Sequence, residues 1–508
     1  AVYKFDRTAN HFTPEGSGLV VFTPQALGPA VGAYVQSLYD ANPAPFGGLD
    51  RPKAVNNAWT TPGYQKVYGN NLTMNYEISD HLSLKNIASY RKSYVYANSN
   101  LTGIGGLENT DPTRGAVGAP VSLSDASVET RAKQWSEEFQ VNYDSDFLTL
   151  TTGLLYFKLK TALGVPEGLT GAAQNFIPLP GGVIPAGLDH SYNTSISKAG
   201  YVQAEVHVTP EVDIVGGYRI TNDDKSGTTF VRTVPTSFTY EKTKPTYVAG
   251  INYKPSNDLL VYGKFSTGFI SGGSIAGLDF APETAASWEG GVKSDLFDQR
   301  LRLNLSLFRA RYEHLQRANT GRNINRPDLG SIILDQGDAT VKGFEAEVTA
   351  VPVQGLTLNG GVSYSDFKYT RKNQFFAQLG DFEQWFTPDW TVNLSASYES
   401  KPLFNDARLV ARLDGNWTSK IGAPGVYLPV RAGYDVLQYS GENWLVNGRL
   451  ALKGIKVGGG SVEIGLWSRN LLNDDSPQFP LQFGINPYLG SATYIPARTV
   501  GVDLIYNY

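Results

Sequence analysis

The sequence predicts an all-β fold: one antiparallel transmembrane β-barrel, its strands joined by short turns at one end and long loops at the other. Three observations predict it. Runs of alternating apolar and polar residues extend for about ten residues or more, the length a tilted strand needs to cross a bilayer and well beyond the usual soluble strand. Short connections alternate with long ones, so all the short ones fall at the same end of the strands. The patterning also continues to the last residue. In Thr499 to Tyr508, Val500, Val502, Leu504, Tyr506 and Tyr508 share one side; Thr499, Gly501, Asp503 and Asn507 share the other, with Ile505 the exception. An edge strand of a soluble sandwich could show this pattern over ten residues. A terminus that stays two-faced to its final aromatic suits a closed sheet better, because an unpaired edge in hydrocarbon leaves backbone donors and acceptors without partners. Leu504, Tyr506 and Tyr508 are read as a membrane-assembly signal on this basis.

Composition narrows the classes. At 508 residues the chain is too long for one ordinary soluble core, and it joins 41% hydrophobic residues to 12% aromatic ones and 54 glycines. No run of about 18 uncharged apolar residues is present, which removes transmembrane helices but not barrel strands, whose alternation hides them from hydropathy. Cysteine is absent, so disulfides, thiolate metal sites and a cysteine nucleophile are excluded. The net charge of −4 and the lack of a basic run argue against nucleic acid as a partner. The opening A-V-Y-K-F-D-R-T has no charged n-region or apolar h-region, which reads as a processed or truncated start.

Along the chain, a short strand at Ala1 to Asp6 precedes an irregular Pro/Gly-rich segment through about Pro62, whose aromatics show no steady period. Strand pairs then follow: Lys66 to Ser79 with Leu82 to Asn98, Lys133 to Ser145 with Phe147 to Lys160, and Lys198 to Thr209 with Val212 to Thr221. A long connection from Thr221 leads to Thr246 to Lys254, paired with Leu259 to Phe269; Asp223-Asp224 falls within it and reads as a turn. The remaining pairs are Thr284 to Ser294 with Leu301 to His314, Ala339 to Val351 with Leu356 to Tyr369, Trp390 to Glu399 with Ala407 to Ser419, and Trp444 to Leu452 with Ser461 to Arg469. With the closing strand from near Thr493, the count is about 18. No solenoid or propeller repeat is present.

The alternation assigns faces. Leu301, Leu303, Leu305 and Leu307 oppose Arg302, Asn304 and Ser306, and Trp417 and Tyr398 close apolar rows with an aromatic, as an interfacial girdle requires. The inward rows carry Arg302, Arg408, Arg412, Arg449 and Arg469 against Glu345, Glu347, Asp414 and Glu463. Such a wall can hold a polar plug, line an aqueous pore, or pair its charges between neighbouring strands. At the loop end, Trp385, Phe386, Tyr427, Tyr434 and Phe479, with Phe375, Phe376, Tyr439 and Phe483, are candidates to stack on a planar ligand, and the same residues also suit loop anchors.

Several segments resemble a known family. F-S-T-G-F-I-S-G-G from Phe265, A-P-E-T-A-A-S-W-E-G-G-V-K-S from Ala281, L-F-D-Q-R-L-R-L-N-L-S-L-F from Leu296, V-K-G-F-E-A-E-V from Val341, S-R-N-L-L-N-D from Ser468 and I-P-A-R-T-V-G-V-D-L from Ile495 resemble the barrel half of TonB-dependent outer-membrane receptors, siderophore receptors in style. The resemblance implies a 22-stranded barrel with a plugged lumen. Nothing here matches the TonB box or the L-R-G-P-type plug motifs, so residues 1–508 are expected to be the C-terminal barrel domain, with the plug and first strands missing. It also implies uptake of a scarce ligand, with a plug domain, the TonB energising complex, a small-molecule ligand, outer-membrane lipid and lipopolysaccharide as partners, and no cofactor.

A passive plugless porin is the alternative. An outer-membrane enzyme lacks support: His11, His81, His190, His207 and His314 are scattered, His207 reads as a lumen residue, and no nucleophile elbow, Walker loop or zinc motif is present. No calcium loop spacing appears at Asp474-Asp475, which read as turn-capping residues.

Overall fold

Strand follows strand because apolar and polar residues alternate with period two, and each strand pairs with the next in sequence. The computed structural model describes the chain except residues 13–17, 47–49, 55–62, 101–102, 122, 124, 165–173, 176–184, 187–189, 232–233, 276, 321–330, 374–386, 423–438 and 484–488. Eighteen long antiparallel strands form one sheet. In chain order they are β1 Val2–Phe12, β2 Gly63–Ser79, β3 Leu82–Asn100, β4 Asp125–Asp144, β5 Leu148–Gly164 and β6 His190–Thr209. There follow β7 Val212–Val231, β8 Val234–Ser256, β9 Leu259–Ile270, β10 Glu283–Leu296, β11 Leu301–Glu313 and β12 Gly337–Val353. The last six are β13 Leu356–Lys372, β14 Trp390–Glu399, β15 Arg408–Thr418, β16 Asn443–Val457, β17 Gly460–Arg469 and β18 Thr499–Asn507. Two further two-residue segments, Gln174–Asn175 and Pro185–Ala186, bring the hydrogen-bonded sheet to 20 strands. Among the described residues, β1 pairs with β2, β18 pairs with β17, and no pairing joins β1 to β18.

The register confirms the two faces. Leu305 lies opposite Val292 and Ala346, while Arg302 lies opposite Asp295 and Thr349. On β18, Val502 and Leu504 stand opposite Leu466 and Ile464, and Ile505 stands on the polar side opposite Glu463. The apolar side chains on the outer face are exposed in the isolated chain, Leu504 by 74% and Leu466 by 57%. A bilayer supplies the missing solvent. Aromatic rings on that face form a girdle near the loop end: Tyr90 beside Trp135, Phe265 between Tyr247 and Trp288, Trp390 against Phe344 and Tyr364, and Trp417 beside Trp444. Tyr143, Tyr253, Tyr398 and Tyr506 stand on the same face near the short turns.

Three expectations need correction. The first strand runs to Phe12 rather than Asp6, since all eleven residues find partners on β2. The segment expected to be irregular contains a strand, Gly18–Phe22, and a helix, α1 (Pro29–Ala41), which opens on a proline whose missing N–H is not needed at a helix start. The long connection after Thr221 is strand: β7 and β8 continue in register to Val231↔Val234. Asp223 and Asp224 therefore sit in β7, opposite Lys242 and Glu241, and not in a turn.

The compact core lies among the loops rather than in the barrel. Leu19, Tyr34, Val35, Leu38, Ala44, Ile104, Leu107 and Leu123 pack together, joining the β1–β2 and β3–β4 connections. α1 contributes Tyr34, Val35 and Leu38 from one face, the spacing of one amphipathic turn. Gly32 lets α1 approach the preceding turn, where a Cβ would stand 2.5 Å from the Pro24 carbonyl oxygen.

Candidate functional site

The barrel offers two surfaces with chemistry: its polar inner wall and the cap of loops above it. On the inner wall, Arg302 donates to Asp295 through two nitrogens, at 2.6 and 2.9 Å. Asn304 donates to Glu347 at 3.3 Å, and Glu345 stands opposite Ser306 and Ser363. Arg408 donates to Glu399 at 3.2 Å, and Arg412 grips Asp414 two residues along its own strand at 2.8 to 3.1 Å. Arg449 bridges β17 and β18, reaching Glu463 at 2.7 Å and Asp503 at 3.3 Å. The Trp467 indole donates to the other oxygen of Asp503 at 3.0 Å, and the Arg469 guanidinium lies 5.6 Å from the Trp467 ring centre. The inward residues expected from the sequence thus lie on one face, and most are engaged with each other or with a neighbouring strand.

Sequence reasoning missed the tyrosine counterparts of this arrangement. Tyr201 donates to Glu138 at 2.5 Å, and Tyr262 donates to Glu289 at 2.8 Å, with Lys264 on the same carboxylate at 3.0 Å. Each phenol lies across a glycine of the adjoining strand, Gly153 and Gly291, where a Cβ would meet the ring at 2.7 Å. The glycines let large side chains lie flat along the wall: Tyr201 reaches across Gly153 to a carboxylate one strand further on, and Tyr262 reaches one on the same strand as Gly291. The partners are 63 and 27 positions apart, so only the register reveals them. His207 is inward as expected: its Nδ1 stands 2.7 Å from Asp213, whose second oxygen receives Lys254 at 2.7 Å, with Glu205 close by. With Lys254 seated on Asp213, the group reads as an ion network near the short turns.

The cap is built from loops distant in sequence. Strand Gly18–Phe22 pairs with Leu489–Tyr494, which pairs in turn with Pro477–Phe483. Arg51 donates to the carbonyls of Asp474 and Ile495 at 3.2 and 2.9 Å, tying the first long connection to the last. Tyr34 donates to Asn109 at 2.9 Å under the Arg114 guanidinium, and burial pushes its phenol up against the pull of that cation. Bonds from the Thr113 hydroxyl and N–H hold the nearby Asp111 carboxyl below the usual carboxylate range. Asp474 accepts from the backbone of Ser476 and Trp444, the capping role expected of it. Of the loop aromatics, Phe479 lies in the Pro477–Phe483 strand opposite Thr493. Trp385, Phe386, Tyr427 and Tyr434, with Phe375 and Phe376, fall outside the described residues.

A two-faced antiparallel sheet, a double aromatic girdle, short turns below and a structured cap above define a bacterial outer-membrane β-barrel. The chain belongs to the TonB dependent receptor-like, beta-barrel family, which it matches over residues 6–459. It is similar to the probable TonB-dependent siderophore receptor PiuA of Acinetobacter baumannii, 21% identical over 370 residues, covering 62% of this chain and 46% of that protein. It is also similar to the ferric-pyoverdine 358 receptor of Pseudomonas putida, 26% identical over 253 residues, covering 46% and 30%. Among solved structures, the ferric yersiniabactin uptake receptor FyuA from Yersinia pestis superposes with a TM-score of 0.70 at 15% identity, covering 92% of this chain and 66% of that one. The ferric-catecholate import receptor Fiu from E. coli K12 superposes at 0.68 and 14% identity, covering 99% and 72%. The chain spans less than half the length of the curated relatives it matches. Its place is the outer membrane of a Gram-negative cell, with the short turns on the periplasmic side and the loops outside.

Proposed function

We propose that this chain is the barrel domain of a TonB-dependent receptor that takes up a scarce chelated nutrient, a ferric siderophore or a ligand of that kind, across the outer membrane. The observation that carries the reading is the family match along nearly the whole barrel, joined to relatives whose own names specify siderophore receptors. The architecture agrees with it. A wall of 18 strands belongs to the size class whose interior its own side chains do not fill, and its polar lining suits a folded plug that can be shifted without breaking the barrel. In this reading the plug domain and the TonB complex supply the moving part and the energy, the outer cap receives the ligand, and Phe479, Trp385, Phe386, Tyr427 and Tyr434 are the aromatic candidates to contact it.

The test is uptake. Cells producing the full-length receptor should accumulate radiolabelled iron from at least one siderophore, and loss of TonB should abolish it. A passive channel would instead show TonB-independent entry and a steady conductance in planar bilayers, and that result would replace the receptor by a porin.

A further inference from the structure

The outer wall of β3 to β6 carries a set of cations that the uptake reading does not use. Lys92, Lys133 and Lys160 stand directly opposite one another on three adjacent strands, in the registers Lys92↔Lys133 and Lys133↔Lys160. They share the face of Phe139, Leu154 and Val202, which are exposed and apolar, so they point to the lipid side of the wall. Each lies toward the loops from the aromatic girdle: Lys92 two residues beyond Tyr90, Lys133 two before Trp135, and Lys160 beyond Tyr156. Lys158 and Lys198 stand on the same face nearer the girdle, and Lys66 further out opposite Tyr94.

Like charges directly opposite one another in a sheet repel. Among the described residues none of these six lysines forms an ion pair with a carboxylate that would offset the repulsion. The acids of this face are otherwise placed. Glu129 is bound to Arg131, and Glu137 sits below Trp135, where Asn86 bonds it at 3.3 Å. Asp224 and Glu241 face each other on the flanking strands β7 and β8. The contrast with the other basic patch on the outer wall is direct, because there Lys342 and Lys368 both reach Asp366, at 3.5 and 2.9 Å.

Two concavities complete the surface. One of about 1210 Å³ is lined by Lys66, Lys92, Arg131, Lys133 and Lys160 together with the neighbouring Tyr94. The other, about 620 Å³, lies toward the membrane centre. Phe139, Leu154, Gly200 and Ile220 form one register row of its lining, and Glu137, Tyr156, Lys198 and Asn222 the next row toward the loops. An apolar channel thus rises through a polar step into a field of ammonium groups, at the level where acyl chains give way to headgroups.

The geometry points to a specific site for a phosphate-bearing lipid of the outer leaflet, with an acyl chain along Phe139, Leu154 and Ile220 and its phosphates against Lys92, Lys133 and Lys160. The anion supplies the countercharge that the sheet itself lacks. The test uses the folded protein in neutral detergent micelles, with diphosphorylated lipid A as the probe and fully dephosphorylated lipid A as its control. Replacing the three lysines together (K92Q, K133Q, K160Q) should weaken binding of the diphosphorylated probe by at least about tenfold. Lys342→Gln with Lys368→Gln should leave it unchanged. Thermal stability gives a second readout with a change of sign: the triple variant should melt above the parent without lipid, and below it once the phosphorylated probe is added. Unchanged affinity in the triple variant, equal binding of the dephosphorylated lipid, or displacement of the probe by inorganic phosphate at matched concentration would each overturn the assignment.

Discussion

Arg449 on the inner wall and Lys133 on the outer wall both stand in the middle of long strands of the same sheet, yet the sheet treats their charges in opposite ways. Arg449 faces another cation, Arg412, directly across the ladder, and the conflict is resolved within the protein because Glu463 and Asp503 take its guanidinium while Asp414 takes that of Arg412. Lys133 also faces cations on both sides, and among the described residues no carboxylate comes to it. On the inner wall the two opposed arginines are met by carboxylates of the sheet itself. The outer wall is complete only with its membrane. The residue types fit the division: arginine's planar fork locks into carboxylates, whereas lysine's flexible stem follows a mobile headgroup.

The comparison can be broken at several points. The largest effect is expected from Leu305→Arg, which puts a cation into the leucine row of the lipid side, at a cost of about 2 to 4 kcal/mol near the midplane. The fraction of heat-modifiable folded barrel recovered from outer membranes should fall sharply, and a normal yield would place Leu305 on the wrong wall. Next comes Arg449→Met, which leaves Glu463 and Asp503 facing each other without their shared donor. Because these groups are partly exposed, the loss should be about 1 to 2 kcal/mol in urea unfolding. A double-mutant cycle with Glu463→Gln should show that most of the loss is shared, and additive effects would mean that the inner wall is not a network. The smallest effect has the opposite sign. Lys133→Gln should raise stability by a few tenths of a kcal/mol in lipid A-free micelles, since it removes two unfavourable neighbours. A loss of stability there would end the contrast between the walls.

Much of this fold is legible in the linear chain, and the reason is geometric. Alternation with period two survives in sequence because one face meets lipid and the other water, so Leu301 to Leu307 and Trp390 to Tyr398 declare their faces unaided. Where strands leave the membrane that pressure ends, and β7 beyond Thr221 carries Asp223, Asp224, Lys225 and Ser226 in place of apolar rows; this stretch reads as a loop although it is strand. α1 is hidden for another reason: its Tyr34, Val35 and Leu38 pack on a small core completed by Ile104, Leu107 and Leu123 of another connection. Its helical spacing is present but short, and it lies among prolines and glycines.

The inner-wall arginines are identifiable one by one, whereas Tyr201 over Gly153 beside Glu138 is not, since three strands must be in register to bring them together. The same holds for Lys92, Lys133 and Lys160, which nothing in the linear chain unites.

The assignment of the two walls is the claim on which the rest stands, and the absence of native cysteine makes it measurable. Single cysteines at Leu303, Asn304, Leu305, Ser306 and Leu307, spin-labelled in the assembled receptor in lipid bilayers, should report relaxation by oxygen and by a water-soluble nickel chelate with period two. High oxygen access is expected at Leu303, Leu305 and Leu307, and low oxygen access at Asn304 and Ser306. Equal access to the nickel chelate at all five positions would contradict a wall with lipid on one side and a polar interior on the other.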